Sequence, residues 1–309
     1  NLGNILSDLG KLKEAELSYC KAIELKPDYA EAHCNLGTIL RDLGQLKEAE
    51  LPYRKAIEIK PDYAKAYFAL SLVKYSDENN IWQDQLFSKN ILINKSKNDQ
   101  VDIYFARANV LHKEKNYEES SRYLQLANKL KLDIQPSKPQ EILSQSNALL
   151  IDSDKEEFNH KEYKQSLESI FIVGMFRSGS TLLESILSMN TNVDDLGESN
   201  ILEESFLDNK KSNLELTLAE IYWKKTKPRK KQSNITTNKN LFNYQYAGII
   251  ARHIPNAKII HCFRHPLDNI LSIYRTNFAK GNQYSSSLVD CARVYLDQEE
   301  LMNKYKKRY

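Results

Sequence analysis

The chain has 309 residues, 41% of them hydrophobic and 28% charged, with a formal net charge of +3. That length accommodates two domains with separate cores, and the proportions are ordinary for a globular protein. A charge so near neutrality argues against a global attraction to nucleic acid or membrane. No run approaches the roughly 18 apolar residues that span a bilayer, and Cys20, Cys34, Cys262 and Cys291 lack the spacing of a zinc site or disulfide framework.

Residues 1–34 and 35–68 are near copies, identical at roughly 25 of 34 positions. Asn1-Leu2-Gly3 recurs as Asn35-Leu36-Gly37, and Lys26-Pro27-Asp28-Tyr29-Ala30 as Lys60-Pro61-Asp62-Tyr63-Ala64. Cys20 and Cys34 are replaced by Arg54 and Phe68 in the second copy, so the period does not require them. With Leu36, Gly37, Leu40, Ala49, Tyr53, Ala56 and Pro61 in register, this stretch resembles the tetratricopeptide repeat. Small Gly37 and Ala49 are expected to let paired helices approach, Tyr53 to fill the gap to the next repeat, and Pro61 to end the second helix. The pattern decays over 69–97, read as a degenerate third repeat. It returns over Ile103–Leu130 with Ala108, Tyr117, Ser120, Leu124 and Ala127. Such arrays expose a concave groove, so a protein or peptide, whether a docking partner or an acceptor for chemistry elsewhere in the chain, is the expected occupant.

The array is placed at 1–134, followed by a linker at 135–166 that carries Pro136, Pro139 and acidic clusters and is partly helical at best. From Ser169 the pattern changes. Apolar runs at Ile170–Val173 and Ala257–Cys262 read as buried parallel strands, each followed by a helical stretch, which predicts an α/β domain over 167–309. Gly174 to Thr181 fit the phosphate-binding pattern G-x-x-x-x-G-K-[ST] except that Ser180 replaces the lysine. A glycine-bounded loop running into a helix directs backbone N–H groups at one anion. Without the lysine that reaches the β/γ-phosphates, the loop suits a single 5′-phosphate, with Arg177 supplying mobile positive charge.

Strand, Arg177-Ser178-Gly179-Ser180-Thr181 and a leucine-bearing helix resemble the 5′-phosphosulfate loop of sulfotransferases, which use 3′-phosphoadenosine 5′-phosphosulfate (PAPS). Arg264, leaving a strand, and Ser272, eight residues later on a helix, are similar to that family's 3′-phosphate segment. Guanidinium and hydroxyl donors suit such a phosphate. Gly197-Glu198 resembles the pair found in tyrosylprotein-type sulfotransferases, implying that Glu198 takes the acceptor's proton. Asn238-Lys239 resembles a further pair, implying that Lys239 steadies charge on the oxygen bridging phosphate and sulfur. Asp194, Asp195, Glu203 and Glu204 are read as solvated helix-end charges. The family usually has proline where Phe176 stands, so the loop's start is expected to be less rigid, and His265 replaces a commonly acidic or polar residue.

The resemblance as a whole is to the tetratricopeptide-bearing sulfotransferases of bacteria. It implies PAPS as co-substrate, no metal, Glu198, Lys239 and Arg177 as catalytic residues, and Arg177, Ser178, Gly179, Ser180, Thr181, Arg264 and Ser272 as the nucleotide's ligands. It implies an acceptor hydroxyl on protein tyrosine or carbohydrate and a bacterial cytoplasmic setting. The chain starts without Met inside a repeat and is read as a fragment truncated at both ends. A binding module whose P-loop-like domain is inactive is the alternative, and a P-loop kinase or NTPase a weaker one. The basic run Lys224–Lys231 is read as a solvated loop, and His33, His112, His160, His253 and His261 receive no chemistry.

Overall fold

The computed structural model of the chain describes residues 2–73, 81–155, 167–211, 216–227, 233–278 and 281–309. It divides into two compact units, one formed by 1–136 with 277–286 and the other by 137–276 with 287–309.

The first unit is an antiparallel helix array: α1 (Leu2–Asp8), α2 (Leu12–Leu25), α3 (Ala30–Asp42), α4 (Glu50–Ile59), α5 (Ala64–Leu72), α6 (Ile81–Phe87), α7 (Lys97–Lys113) and α8 (Tyr117–Ile134). Small residues at fixed positions set the spacing between paired helices. A Cβ at Gly37 would stand 2.7 Å from the Tyr53 ring, and one at Gly3 would stand 2.7 Å from the Tyr19 ring. Tyr53 therefore packs onto the glycine of its own repeat, where its hydroxyl donates to Thr38 Oγ1 at 3.3 Å. It also shares a core with Tyr67 and Leu70 of the following repeat, the gap it was expected to fill. Ala49, Tyr53 and Ala56 are fully buried and join Tyr67, Leu70 and Ile103 in one apolar core. The helices α2 and α4 stop just before Pro27 and Pro61, whose missing N–H and fixed φ end them. The Tyr67 hydroxyl donates to the Pro61 carbonyl at 2.8 Å. Both helices of the last pair begin on side-chain caps, Ser96 accepting from Asp99 N and Asn116 from Glu119 N.

The second unit opens with α9 (Pro139–Lys155), in the stretch read as a linker. Leu149 on this helix is buried in the same core as Phe171, Tyr222, Ile250 and Tyr305, so its apolar face gains enough burial to hold a helix that the sequence marked as polar. Residues 156–166 lie outside the described residues. Next come β1 (Glu168–Gly174), α10 (Ser180–Ser188), β2 (Val193–Asp195), α11 (Ile201–Lys211), α12 (Leu218–Thr226) and β3 (Ile235–Asn238). A 3₁₀ stretch at Leu241–Tyr246 leads to α13 (Ala247–His253), β4 (Ala257–Cys262), α14 (Pro266–Tyr274) and α15 (Leu288–Arg308).

The four strands form a parallel sheet in the order β2-β3-β1-β4. Parallel pairing requires crossovers, which α10 and α13 supply between β1 and β2 and between β3 and β4. Alternate β1 residues Phe171 and Val173 face the core built from α9, α11–α13 and α15. The fold is thus a helical repeat array followed by an α/β unit, as expected from the switch in pattern at Ser169. No described helix is long and apolar enough to cross a membrane.

Candidate functional site

The carboxyl ends of β1, β3 and β4 carry the motif residues, the position where ligands sit in open parallel sheets. At the end of β1, Gly174 has φ +145 and pairs with Cys262 of β4, where a Cβ would meet the Cys262 carbonyl oxygen at 2.3 Å. Only glycine lets the two strands run this close as the loop leaves the sheet. Arg177 takes a left-handed φ of 66, and Gly179, with φ 94, precedes the first turn of α10. A non-glycine residue held there stores about 1–3 kcal/mol of strain, which the surroundings must impose.

The loop's start is anchored twice. The Phe176 ring packs edge-on against Phe242 with centroids 5.7 Å apart. The Phe176 carbonyl accepts from Asn269 Nδ2 at 2.9 Å, and Asn269 is fully buried in α14. An aromatic contact and a buried amide thus hold the position where rigidity was expected to be lost. Asn269 was not singled out in the sequence, although an amide between Leu267 and Ile270 in an apolar helix is the available signal.

A cavity of about 350 Å³ lies over the loop, lined by Arg177, Ser178, Gly179, Ser180, Thr181 and Arg264. Its lining holds two arginines and no carboxylate. Helix N-terminal N–H groups lack intrahelical partners and bring the positive end of the dipole. The Ser178 hydroxyl is buried without a partner. Such a donor set fits a phosphorylated ligand, and PAPS is compatible with it. Arg177 Nε donates to Ser272 Oγ at 3.3 Å, which brings the loop against α14. The Tyr295 hydroxyl, from α15, donates to the Arg264 carbonyl at 2.9 Å and fixes the backbone where β4 ends.

On the other side of α10, Lys239 Nζ donates to Thr181 Oγ1 at 3.1 Å and to Glu198 Oε1 at 3.0 Å. The backbone sets this up: Leu196 N donates to Thr237 O and Lys239 N to Gly197 O, both at 2.9 Å, continuing the β2–β3 pairing beyond the strands. The Lys239 side chain is only 8% exposed, whereas that of Glu198 is 60% exposed. Glu184, from α10, lies 3.9 Å from Lys239 Nζ and accepts from Thr237 Oγ1 at 2.9 Å. Burial pushes the Glu184 carboxyl upward, against the opposing pull of the Thr237 hydroxyl and the Lys239 charge. Glu184 is a second residue that the motif reading missed. Its signal is a carboxylate on the apolar side of a short helix.

The sequence-predicted residues Arg177–Thr181 and Arg264 therefore line one cavity, with Ser272 joined to it through Arg177, and Lys239 and Glu198 through Thr181. Two neighbouring assignments differ. Asp195 is exposed but ends strand β2 rather than a helix. Asp194 is buried within β2, where its carboxylate accepts from Ser233 N at 3.3 Å, and so is not a solvated helix-end charge. Glu203 and Glu204 do occupy the first turn of α11. His261 is half-buried, against Gln298 and Lys306, and desolvation with the Lys306 charge holds its pKa down at about 4. The basic run is described only as far as Lys227, and its remainder lies outside the described residues. Among the described residues, no group of three or more His, Cys, Asp or Glu side chains is arranged to hold a metal.

A parallel sheet with a glycine-bounded loop at the end of its first strand defines an α/β domain. Family comparison goes one step further, since residues 169–309 match the sulfotransferase family. Residues 3–40, 30–63 and 101–134 match tetratricopeptide repeat models. The chain joins tetratricopeptide repeats to a sulfotransferase-family domain. It is also 30% identical over 135 residues to an uncharacterized protein of Aquifex aeolicus (strain VF5), covering 37% of this chain and 18% of that relative's length.

Proposed function

We propose that the chain forms part of an enzyme moving a sulfuryl group from PAPS to an acceptor hydroxyl, on protein tyrosine or carbohydrate, with the repeats recognising acceptor or partner. The approach of Arg177 Nε to Ser272 Oγ carries this reading, because it joins two anion-binding segments 95 residues apart in sequence. One bisphosphorylated adenosine bridging them accounts for both. When bound, PAPS supplies a sulfuryl group attached to a 5′-phosphate leaving group. The loop backbone from Ser178 to Thr181 would hold that 5′-phosphate, and Arg264 with Ser272 the 3′-phosphate.

Glu198 takes the proton of the acceptor hydroxyl, and the freed electron pair forms the new S–O bond. As the old S–O bond breaks, its electron pair stays on the phosphate oxygen, where Lys239 offsets the charge. Arg177 adds positive charge at the transferring group. Positioning and electrostatics dominate such chemistry, as in phosphoryl transfer, and this scheme needs no metal. Four free cysteines are in keeping with a reducing compartment such as the bacterial cytoplasm.

The test is incubation with sulfur-labelled PAPS and three acceptor classes, namely tyrosine peptides, oligosaccharides and small alcohols. Label on one class that disappears with Glu198→Gln is expected. Equal thermal stabilisation by AMP and by 3′,5′-adenosine bisphosphate would overturn the reading, as would magnesium-dependent ATP hydrolysis.

A further inference from the structure

A second cavity lies within the repeat unit, far smaller and differently lined. It measures about 210 Å³, below the roughly 300 Å³ at which pockets for drug-sized molecules begin. Helices α7 and α8 form one wall, and Asn277, Phe278, Asn282 and the 3₁₀ turn at Gln283–Ser286 form the other. Its two charged residues are already reconciled. Asn277 donates its amide N–H to Asp102 Oδ1 at 3.0 Å and accepts from Lys131 Nζ at 3.0 Å. Lys131 also donates to the Phe278 carbonyl at 2.9 Å. The pair is neutral as a unit, bridged by one amide, so the cavity asks for no net charge in its occupant.

What remains on the walls is uncharged and bifunctional. Asn98, Gln135, Asn282 and Gln283 each bring an amide that both donates and accepts. Ser286 is 3% exposed and its hydroxyl has no partner, and Asn282 Oδ1 is likewise buried without one. Orphaned groups of this kind are costly unless something satisfies them. Val101, Ile134 and Phe278 supply an apolar surface beside the amides. Alternating hydroxyls on a compact ring match amides that donate and accept, and the ring's C–H face matches the apolar wall.

We propose that this cavity binds a neutral polyhydroxyl ligand the size of one monosaccharide, through Asn282, Gln283 and Ser286 on one side and the Asp102–Asn277–Lys131 bridge on the other. The site stands apart from the sulfuryl-transfer residues, and the proposal does not depend on that reading. A zwitterion such as an amino acid is disfavoured because both charges are already engaged.

The test uses the whole chain with D-glucose, D-galactose, D-mannose and N-acetyl-D-glucosamine, with glycine and L-alanine as the zwitterionic comparison. Ligand-observed NMR should show saturable binding that prefers one of the epimers. Ser286→Ala, which removes only the orphaned hydroxyl, should weaken that binding by about fivefold. If this variant fails to fold, the unaltered chain still decides the matter, since amide shifts on adding the sugar should fall on Asn282–Ser286 and on the facing turns of α7 and α8. Absence of saturable sugar binding, shifts elsewhere, equal affinity of a folded Ser286→Ala, or tighter binding of glycine would each overturn the proposal.

Discussion

Arg177 Nε donates to Ser272 Oγ across 3.3 Å, so the loop after β1 touches helix α14 although 95 residues separate the two side chains. Arg264, on the same cavity as Arg177, is expected to be the residue that reads the 3′-phosphate. Arg264→Ala should weaken 3′,5′-adenosine bisphosphate by about 10- to 100-fold while leaving AMP nearly unchanged, measured by calorimetry. Equal loss for both nucleotides would place the arginine elsewhere.

Glu198 and Lys239 should separate in their effects. Glu198 is mostly exposed, so Glu198→Gln should preserve the fold and the nucleotide affinity while lowering the transfer rate by about 100-fold or more. Lys239 is buried between Thr181 and two carboxylates. Lys239→Met would strip the buried Glu184 of its cation and should cost about 3 kcal/mol of stability besides activity. Denaturant titration of the two variants distinguishes them.

In the repeats, Gly37→Ala places a methyl group 2.7 Å from the Tyr53 ring. Rigid helices on either side leave the ring little room, so a loss of about 1–3 kcal/mol is expected. Gly44→Ala provides the contrast, because its Cβ meets nothing within 4 Å and its cost comes from the φ of +80 alone. Thermal melts of the two test whether contact or backbone dominates.

Asp102 gives a pH signature. Desolvation raises its carboxyl to about 6 from 3.8, with Asp99 adding to the rise and Lys65, Lys131 and the Asn277 hydrogen bond opposing it. The folded chain therefore holds this proton more tightly than the unfolded chain does. Between about pH 4 and pH 6 the folded state binds more protons, so the Asp102 contribution to stability falls as pH rises. Asp102→Asn should flatten that slope, read from denaturation midpoints across the window. An unchanged slope would show that Asp102 titrates normally.

Much of the fold could be read from the residues because the signals were local. A 34-residue period, the small residues Gly37 and Ala49 and an apolar run closed by Gly174 each act through neighbours in sequence or one helix away. The loop and the Arg264–Ser272 segment were legible for the same reason. Asn269 and Glu184 were not, since each matters only through a partner far along the chain, Phe176 in one case and Thr237 and Lys239 in the other. The helix α9 was hidden because its polar composition outweighed the few apolar residues, such as Leu149, that the second core buries. Asp194 was misjudged because a three-residue strand leaves too short a pattern to recognise.

The path of the backbone has one more implication. Residues 277–286 pack with the repeats, yet α14 before them and α15 after them belong to the other unit. The polypeptide accordingly passes from one body to the other three times, at 136/137, 276/277 and 286/287. A protease nick at the first crossing would cut the covalent link between the repeats and 277–286, the segment that completes their own unit. Expressed alone, a piece ending at residue 136 would lack Asn277 and leave Asp102 and Lys131 without their bridge. A cut of the gene at residue 136 would therefore not yield the first unit entire, because residues 277–286 complete it.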